Sequence, residues 1–231
     1  MRDLAAALEQ ALRLLASGDP ALYVIMGRTL LVSGAATVLA LLAGVPLGYL
    51  LARRRFPGRT LLLGLVNTGM GLPPVVVGLF VWLLLARSGP LGALDLIYTR
   101  QAMVLAQLVI ALPLIVGLTV TSIRALPERL PDLLWTLGAG RWRRLWLLAG
   151  EARLGLLAAI MAGFGAIISE VGASMTVGGN LERSTRVLTT AVVTETSRGN
   201  VPLALALGLI LLALAFAVNL VLTYAQTRGG R

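Results

Sequence analysis

Glu170 is an acid placed at the end of an apolar, small-residue segment, and the residues around it are dense in hydroxyls and glycines. The stretch reads Ile168-Ser169-Glu170-Val171-Gly172-Ala173-Ser174-Met175-Thr176-Val177-Gly178-Gly179-Asn180, and Thr185, Arg186, Thr189, Thr190, Thr194 and Glu195 follow. An ionisable side chain at the end of such a segment is costly unless it faces water or a partner. The hydroxyls of Ser169, Ser174, Thr176, Thr189 and Thr190 can line a polar path without a strong binding charge, which suits a conduit that must release its cargo. The plainer reading is an exposed connector that caps the preceding segment, with Glu170 as an interfacial salt-bridge partner.

A second constellation lies at 124–153, an Arg-rich, glycine-broken segment between long apolar spans. Pro127 and Pro131 restart the chain, and Asp132 can serve as an N-cap or first-turn acid of a short helix. Leu133, Leu134 and Leu137 give that helix an apolar edge. Gly138-Ala139-Gly140 then breaks it, and a second helix opens at Arg141 carrying Trp142, Leu145, Trp146 and Leu148. Helix, glycine turn and amphipathic return make a compact knob that can fit a cleft.

What the chain lacks narrows the chemistry further. All 20 basic residues are Arg, and there is no Lys, His or Cys. Without Lys there is no P-loop lysine, so ATP is not bound and hydrolysed here in the P-loop manner. Without His or Cys the usual zinc, haem and thiol sites have no ligands, and no disulfide can form. An energy source must therefore sit on a partner or be an ion gradient.

The elements that carry these residues are membrane spans. With 58% hydrophobic and 13% charged residues, the chain has several apolar stretches near the ~20 residues that cross a bilayer core. An amphipathic N-terminal helix is expected over 1–22, with leucines at 4, 8, 12 and 15, Glu9 and Arg13 spaced for an ion pair, and an end at Gly18-Asp19-Pro20. No cleavable signal peptide is expected, because Asp3 and Glu9 interrupt the start. Five spans are expected within 24–224, at 29–52, 60–86, 102–123, 154–170 and 203–224. Asn67 to Pro74 should kink or partly unwind the second span, and irregular backbone survives there only where protein or a water-filled path surrounds it. Pro113 adds a second expected bend, and the small residues of the fourth span suit close helix packing.

Charge placement orients the spans. One side collects twelve arginines against Glu128, Asp132 and Glu151; the other has eight against seven acids. The positive-inside rule puts 124–153 and the C-terminus in the cytoplasm and the N-terminus outside. The net charge of +10 is thus a topological signal, and no nucleic-acid partner is expected.

The segment from Asp132 resembles the cytoplasmic coupling loop of ABC-importer permeases, whose pattern is Glu-Ala-Ala, three residues, Gly, nine residues, then Ile-x-Leu-Pro. Asp132 and Gly138 fall at the Glu and Gly positions and Leu148 at the Ile; Leu133-Leu134 replace the alanines and Gly150-Glu151 the closing Leu-Pro. The stretch Ser169 to Asn180, with Thr185-Arg186-Val187-Leu188-Thr189-Thr190-Ala191 and Glu195-Thr196-Ser197-Arg198-Gly199-Asn200, is similar to permeases of oxyanion importers, nearest to the tungstate type and then to molybdate and sulfate permeases. Leu72-Pro73-Pro74 is similar to the double-proline segment of that group.

The resemblance implies an all-α integral membrane fold: a five-helix type I ABC-importer permease bundle with a short N-terminal helix and cytoplasmic coupling helices. It implies a prokaryotic inner-membrane homodimer of this chain, two cytoplasmic ABC ATPase subunits that hold the ATP and Mg, and an extracytoplasmic oxyanion-binding protein. It also implies import of an oxyanion by alternating access, tungstate foremost, and no catalytic residue on this chain. Asp132, Gly138, Ala139, Gly140 and Arg141 are the expected coupling residues. Gly71, Pro73, Pro74 and Pro113 belong to the bent pore helices, and Ser169, Glu170, Ser174, Thr176 and Asn180 to the gate region. Glu170 is a poor ligand for an anion, so selectivity is expected on the binding protein. The rival is a gradient-driven secondary transporter, which would need buried coupling charges that the spans almost entirely lack.

Overall fold

The computed structural model describes residues 2–127 and 129–228, and for residues 2–7, 131, 141, 142 and 228 the backbone only. Glu128 and Arg231, counted in the charge asymmetry, lie outside the described residues, as do the side chains of Arg2, Asp3, Leu4, Pro131, Arg141, Trp142 and Arg228. The described residues form eleven α-helices with no strand among them.

The N-terminal helix α1 (Arg2–Ala16) packs on the last helix rather than standing apart. The first long helix, α2, runs Pro20–Arg53, about nine residues earlier than the hydropathy pattern suggests. Asp19 causes the early start: its Oδ1 accepts the Ala21 N–H at 2.9 Å, and Pro20 occupies the first turn, where a missing N–H costs nothing.

The second span consists of two helices, α3 (Arg59–Met70) and α4 (Pro74–Leu85), bent by 110°. That is far more than a kink. Gly71 caps α3, and Pro73, which precedes another proline, is held extended at ψ 122. By contrast α5 (Arg100–Arg124) runs unbroken through Pro113.

After α5 come α6 (Leu130–Thr136), α7 (Arg141–Glu151) and α8 (Arg153–Ile168), with a 74° bend between the last two. Then follow α9 (Gly172–Gly178), α10 (Leu188–Ser197) and α11 (Val201–Arg228). Three helices are long and apolar enough to cross a membrane alone, and five spans result when each bent pair counts as one.

Small residues hold the centre together. Ala36, Ala40, Gly44 and Gly48 recur every four residues on α2 and face α5; a Cβ on Gly48 would lie 2.6 Å from Thr119 Cβ. In lipid, where no hydrophobic force drives apolar helices together, such backbone-close packing is a main source of association. α9 is wedged between α4 and α5: a Cβ on Gly78 would lie 2.5 Å from Ala173 Cα, and one on Gly178 2.8 Å from Met103 Sδ. A second apolar cluster joins Ala11 and Leu22 to Leu188 and Ala191 of α10 and Ala206, Leu207 and Ile210 of α11.

Candidate functional site

The knob at 130–151 is built by its glycines. Gly138 sits at φ +73, where L side chains are strained, and ends α6: its N–H donates to Trp135 O and the Ala139 N–H donates to Leu134 O. This Schellman pair satisfies two carbonyls that a helix end otherwise leaves open. Gly140, extended at ψ 164, then caps α7. Asp132 lies in the first turn of α6 and Arg129 takes the cap position; Asp132 is exposed, and its charge favours the helix start.

The surface of the knob is apolar. Leu133, Trp135, Leu137 and Trp146 are 56%, 68%, 74% and 79% exposed, while Leu148 is buried and ties α7 to the bundle. Beside the α7–α8 bend opens a cleft of about 460 Å³ lined by Trp146, Leu147, Gly150, Glu151, Arg153 and Leu154. Four large, well-exposed apolar side chains on two short helices are a feature of surfaces that meet another protein.

The α3–α4 break lies against α5 at Pro113. A Cβ on Gly69 would meet Pro113 Cγ at 2.8 Å, and Met70 packs over Gly117. Thus Pro113 meets the turn before Gly71, Pro73 and Pro74 and produces no break of its own.

The α8–α9 junction carries Ser169 and Glu170. Ser169 is exposed and donates to Gly165 O at 3.0 Å. Glu170 is 8% exposed, and its Oε1 accepts the N–H of Ala173 at 2.8 Å, closing the start of α9. Its own carbonyl accepts from Thr189 Oγ1 at 3.1 Å. Glu170 is therefore buried, while Ser169 and residues 181–183 are exposed, and Glu170 makes no ion pair among the described residues; it caps α9.

Most of the other hydroxyls face inward within the subunit. Ser174 is fully buried and accepts from Gln107 Nε2 at 3.3 Å. Thr176 donates to Gly172 O, and Thr189 and Thr190 are buried in bonds of the α9–α10 region. Asn180, at φ 49, donates to Thr194 Oγ1 at 2.6 Å and fixes the turn leaving α9.

A residue that the sequence patterns do not single out organises this region. Arg28 of α2 is 7% exposed, and its guanidinium donates to three backbone carbonyls, Glu182 O, Arg183 O and Arg186 O, each at 3.1 Å. Its neighbour Thr29 accepts the Leu188 N–H at 3.0 Å. Two adjacent side chains of α2 thus hold the whole 182–188 turn. Nothing local in the sequence signals this, because the partners lie more than 150 positions away.

Comparison with known proteins agrees with this architecture. Residues 44–228 match the family model described as binding-protein-dependent transport system inner membrane component. The chain is 41% identical to a probable anion ABC transporter permease protein of Haloferax volcanii, over 83% of this chain and 84% of the relative. It is 38% identical to the tungstate uptake system permease protein TupB of Peptoclostridium acidaminophilum, over 98% of this chain and 99% of the relative. The fold matches a chain of the MetNI methionine ABC transporter in an inward-facing conformation, with TM-score 0.74 and 18% identity, over 91% of this chain and 96% of that one. A bundle of apolar helices with two broken spans and an exposed apolar knob is thus a type I ABC-importer permease fold, and the chain belongs to the family of inner membrane components of binding-protein-dependent transport systems.

Proposed function

We propose that this chain is the membrane-spanning subunit of an ATP-driven importer of a tetrahedral oxyanion, with tungstate as the first substrate to test. The observation that carries the reading is the 38% identity to a tungstate uptake permease along essentially the full length of both chains. Two copies form the conduit. Each presents its knob to a cytoplasmic ATPase subunit, which holds the ATP and Mg, and an extracytoplasmic binding protein delivers the anion. The arginine-rich loops and the C-terminus face the cytoplasm and the N-terminus faces outward.

In this reading Asp132, Gly138, Ala139, Gly140 and Arg141 transmit ATPase closure, supported by the exposed apolar surface of α6 and α7. Gly71, Pro73 and Pro74, backed by Pro113, give the bent element beside the pathway. Ser169 and Glu170 form the gate region at the α8–α9 junction, with Ser174, Thr176 and Asn180 fixing the geometry of α9. Rocking of the bundles exposes the route to either side in turn.

The test is to purify the tagged chain from its native membrane, identify what accompanies it, and reconstitute the assembly in vesicles. Co-purification of a P-loop ATPase and ATP-dependent tungstate uptake that persists with an ionophore are expected. A chain that purifies alone, with uptake that collapses when ion gradients are dissipated, would make it a secondary transporter. A second reading, molybdate, has its own observation in the 30% identity to the molybdenum transport system permease protein ModB of Escherichia coli over 72% of this chain. Competition between the two anions for uptake separates them.

A further inference from the structure

Polar side chains on the spanning helices mostly bond back to their own helix. Thr37, Thr121 and Thr223 donate to the carbonyl four residues earlier, as does the amide of Asn219. On α3 the pattern fails. Thr60, Asn67 and Thr68 are all exposed, and among the described residues none of their side chains has a hydrogen-bond partner.

These three residues share one side of α3 with Gly64 and Gly71. At about 100° per residue the five positions fall within an arc of about 100°. The opposite edge, carrying Leu63, Val66, Gly69 and Met70, packs on α5, so the polar arc points away from the body of the subunit. No residue of α3 is buried, and a Cβ on Gly64 would meet nothing within 4 Å. At its end the arc runs into the α3–α4 break, where Gly71 and Leu72 are also exposed.

A lipid-facing surface cannot look like this. A free amide and two free hydroxyls are costly in hydrocarbon, and exposed irregular backbone at a helix break, here with the Gly71 and Leu72 N–H groups bonded to Thr68 O and Gly69 O, is tolerated in a membrane only where protein or water covers it. Both features occur on one continuous surface, and water meets both demands at once. We propose that Thr60, Asn67 and Thr68, with the bare backbone at Gly64 and Gly71, form the surface along which a tetrahedral oxyanion passes through the membrane. The amide and hydroxyl groups are neutral donors: they replace part of the anion's hydration shell without the charge that would trap it. No arginine lies on the arc; Arg59, about 80° beyond Asn67 on the side of Val66, donates to Leu51 O at 2.8 Å. The inference rests on the oxyanion-import reading and names the lining that reading leaves open.

The chain contains no cysteine, so single cysteines can be placed without removing any. The experiment uses the full assembly with its ATPase and binding protein in vesicles, carrying N67C, G64C or, on the flank turned about 140° from Asn67, L62C. The probe is a water-soluble sulfonate thiol reagent, and labelling is read as a mass shift of this chain. The expected result is that N67C and G64C label an order of magnitude faster than L62C, that ATP with vanadate changes the rate at N67C, and that excess tungstate slows it by more than half. N67L should slow uptake several-fold while N67S keeps it. An N67C chain as inert as L62C would overturn the proposal. So would a disulfide between two copies of N67C that forms in every state and shuts out the reagent, because the arc would then be a closed contact between copies. Tungstate uptake by the wild-type assembly is measured in the same vesicles: uptake with an inert N67C sinks the lining alone, whereas absent uptake sinks the import reading and the lining with it.

Discussion

Replacing Glu170 separates two roles that one side chain can hold. Its Oε1 accepts the N–H of Ala173, a residue with no exposure, at 2.8 Å. Glu170→Ala leaves that buried N–H unpaired, which costs about 1–3 kcal/mol, near the upper end because the lost acceptor is charged. Glu170→Gln keeps a carbonyl oxygen in the same place, removes the charge and turns the second oxygen into an NH2 donor. Since no cation pairs with this carboxylate among the described residues, losing its charge also relieves a desolvation cost. Unfolding of the detergent-purified chain should therefore show E170A destabilised by about 3 kcal/mol and E170Q within about 0.5 kcal/mol of the wild type. The gate role predicts something different for the same pair. In the reconstituted assembly E170Q should raise basal ATP hydrolysis or anion leak while leaving affinity for the loaded binding protein unchanged. An E170Q chain as unstable as E170A would refute the cap geometry, and an E170Q assembly with normal leak and basal turnover would refute the gate.

Further outcomes follow from two positions, each with a clear physical role. Arg28→Met removes three charge-assisted bonds to the 182–186 carbonyls; water can reach part of that turn, so the expected loss is about 3 kcal/mol, below the summed value of three such bonds. Protease cleavage within the turn should rise alongside, and unchanged stability with a protected turn would show that the clamp is dispensable. Gly138→Ala should cost only about 1 kcal/mol, because the strain of φ +73 is local and open space surrounds it. Gly138→Arg adds a long cation to the proposed docking surface and should abolish co-purification of the ATPase while membrane insertion stays normal. Normal co-purification would remove the coupling role.

Breaks whose cause is local were legible from sequence. Gly71 to Pro74 and Gly138 to Gly140 end helices through glycine conformation and proline sterics, which act within a few residues. Their magnitude was not legible: the 110° turn after α3 depends on what packs around the break. The early start of α2 was readable in principle, since Asp19-Pro20 is a helix-start signal, but hydropathy outweighed it. Burial of α9 was hidden, because Ser174 and Thr176 read as polar while the glycines beside them, Gly172 and Gly178, let the helix sink between α4 and α5. Arg28 was hidden for a different reason. A lone arginine near a span end is ordinary by composition, and its three acceptors are carbonyls, which carry no sequence signal.

Two apolar clusters share α2 and meet again at the Val187–Leu188 peptide bond. Val187 belongs to the large cluster built from α2, α4, α5, α8 and α9, whereas Leu188 belongs to the cluster of α1, the start of α2, α10 and α11. Arg28 and Thr29 grip the chain on both sides of that bond, through Arg186 O and the Leu188 N–H. Sliding of one cluster past the other would break four hydrogen bonds of the clamp together, so the two are bound to move as one body. α8 is fixed to α5 just as closely: a Cβ on Gly155 would lie 2.1 Å from Ser122 Oγ, and one on Gly163 3.0 Å from Ile115. Close-packed contacts of this kind pass displacement on rather than absorb it. α3 has no buried residue, yet one side of it is held as closely, with Gly69 against Pro113 and Met70 over Gly117 of α5. In the proposed importer a push on the knob is therefore carried through α8 into α5 and α9 as a rigid-body movement, and α3, gripped by α5 on one side only, carries the free polar arc with that body.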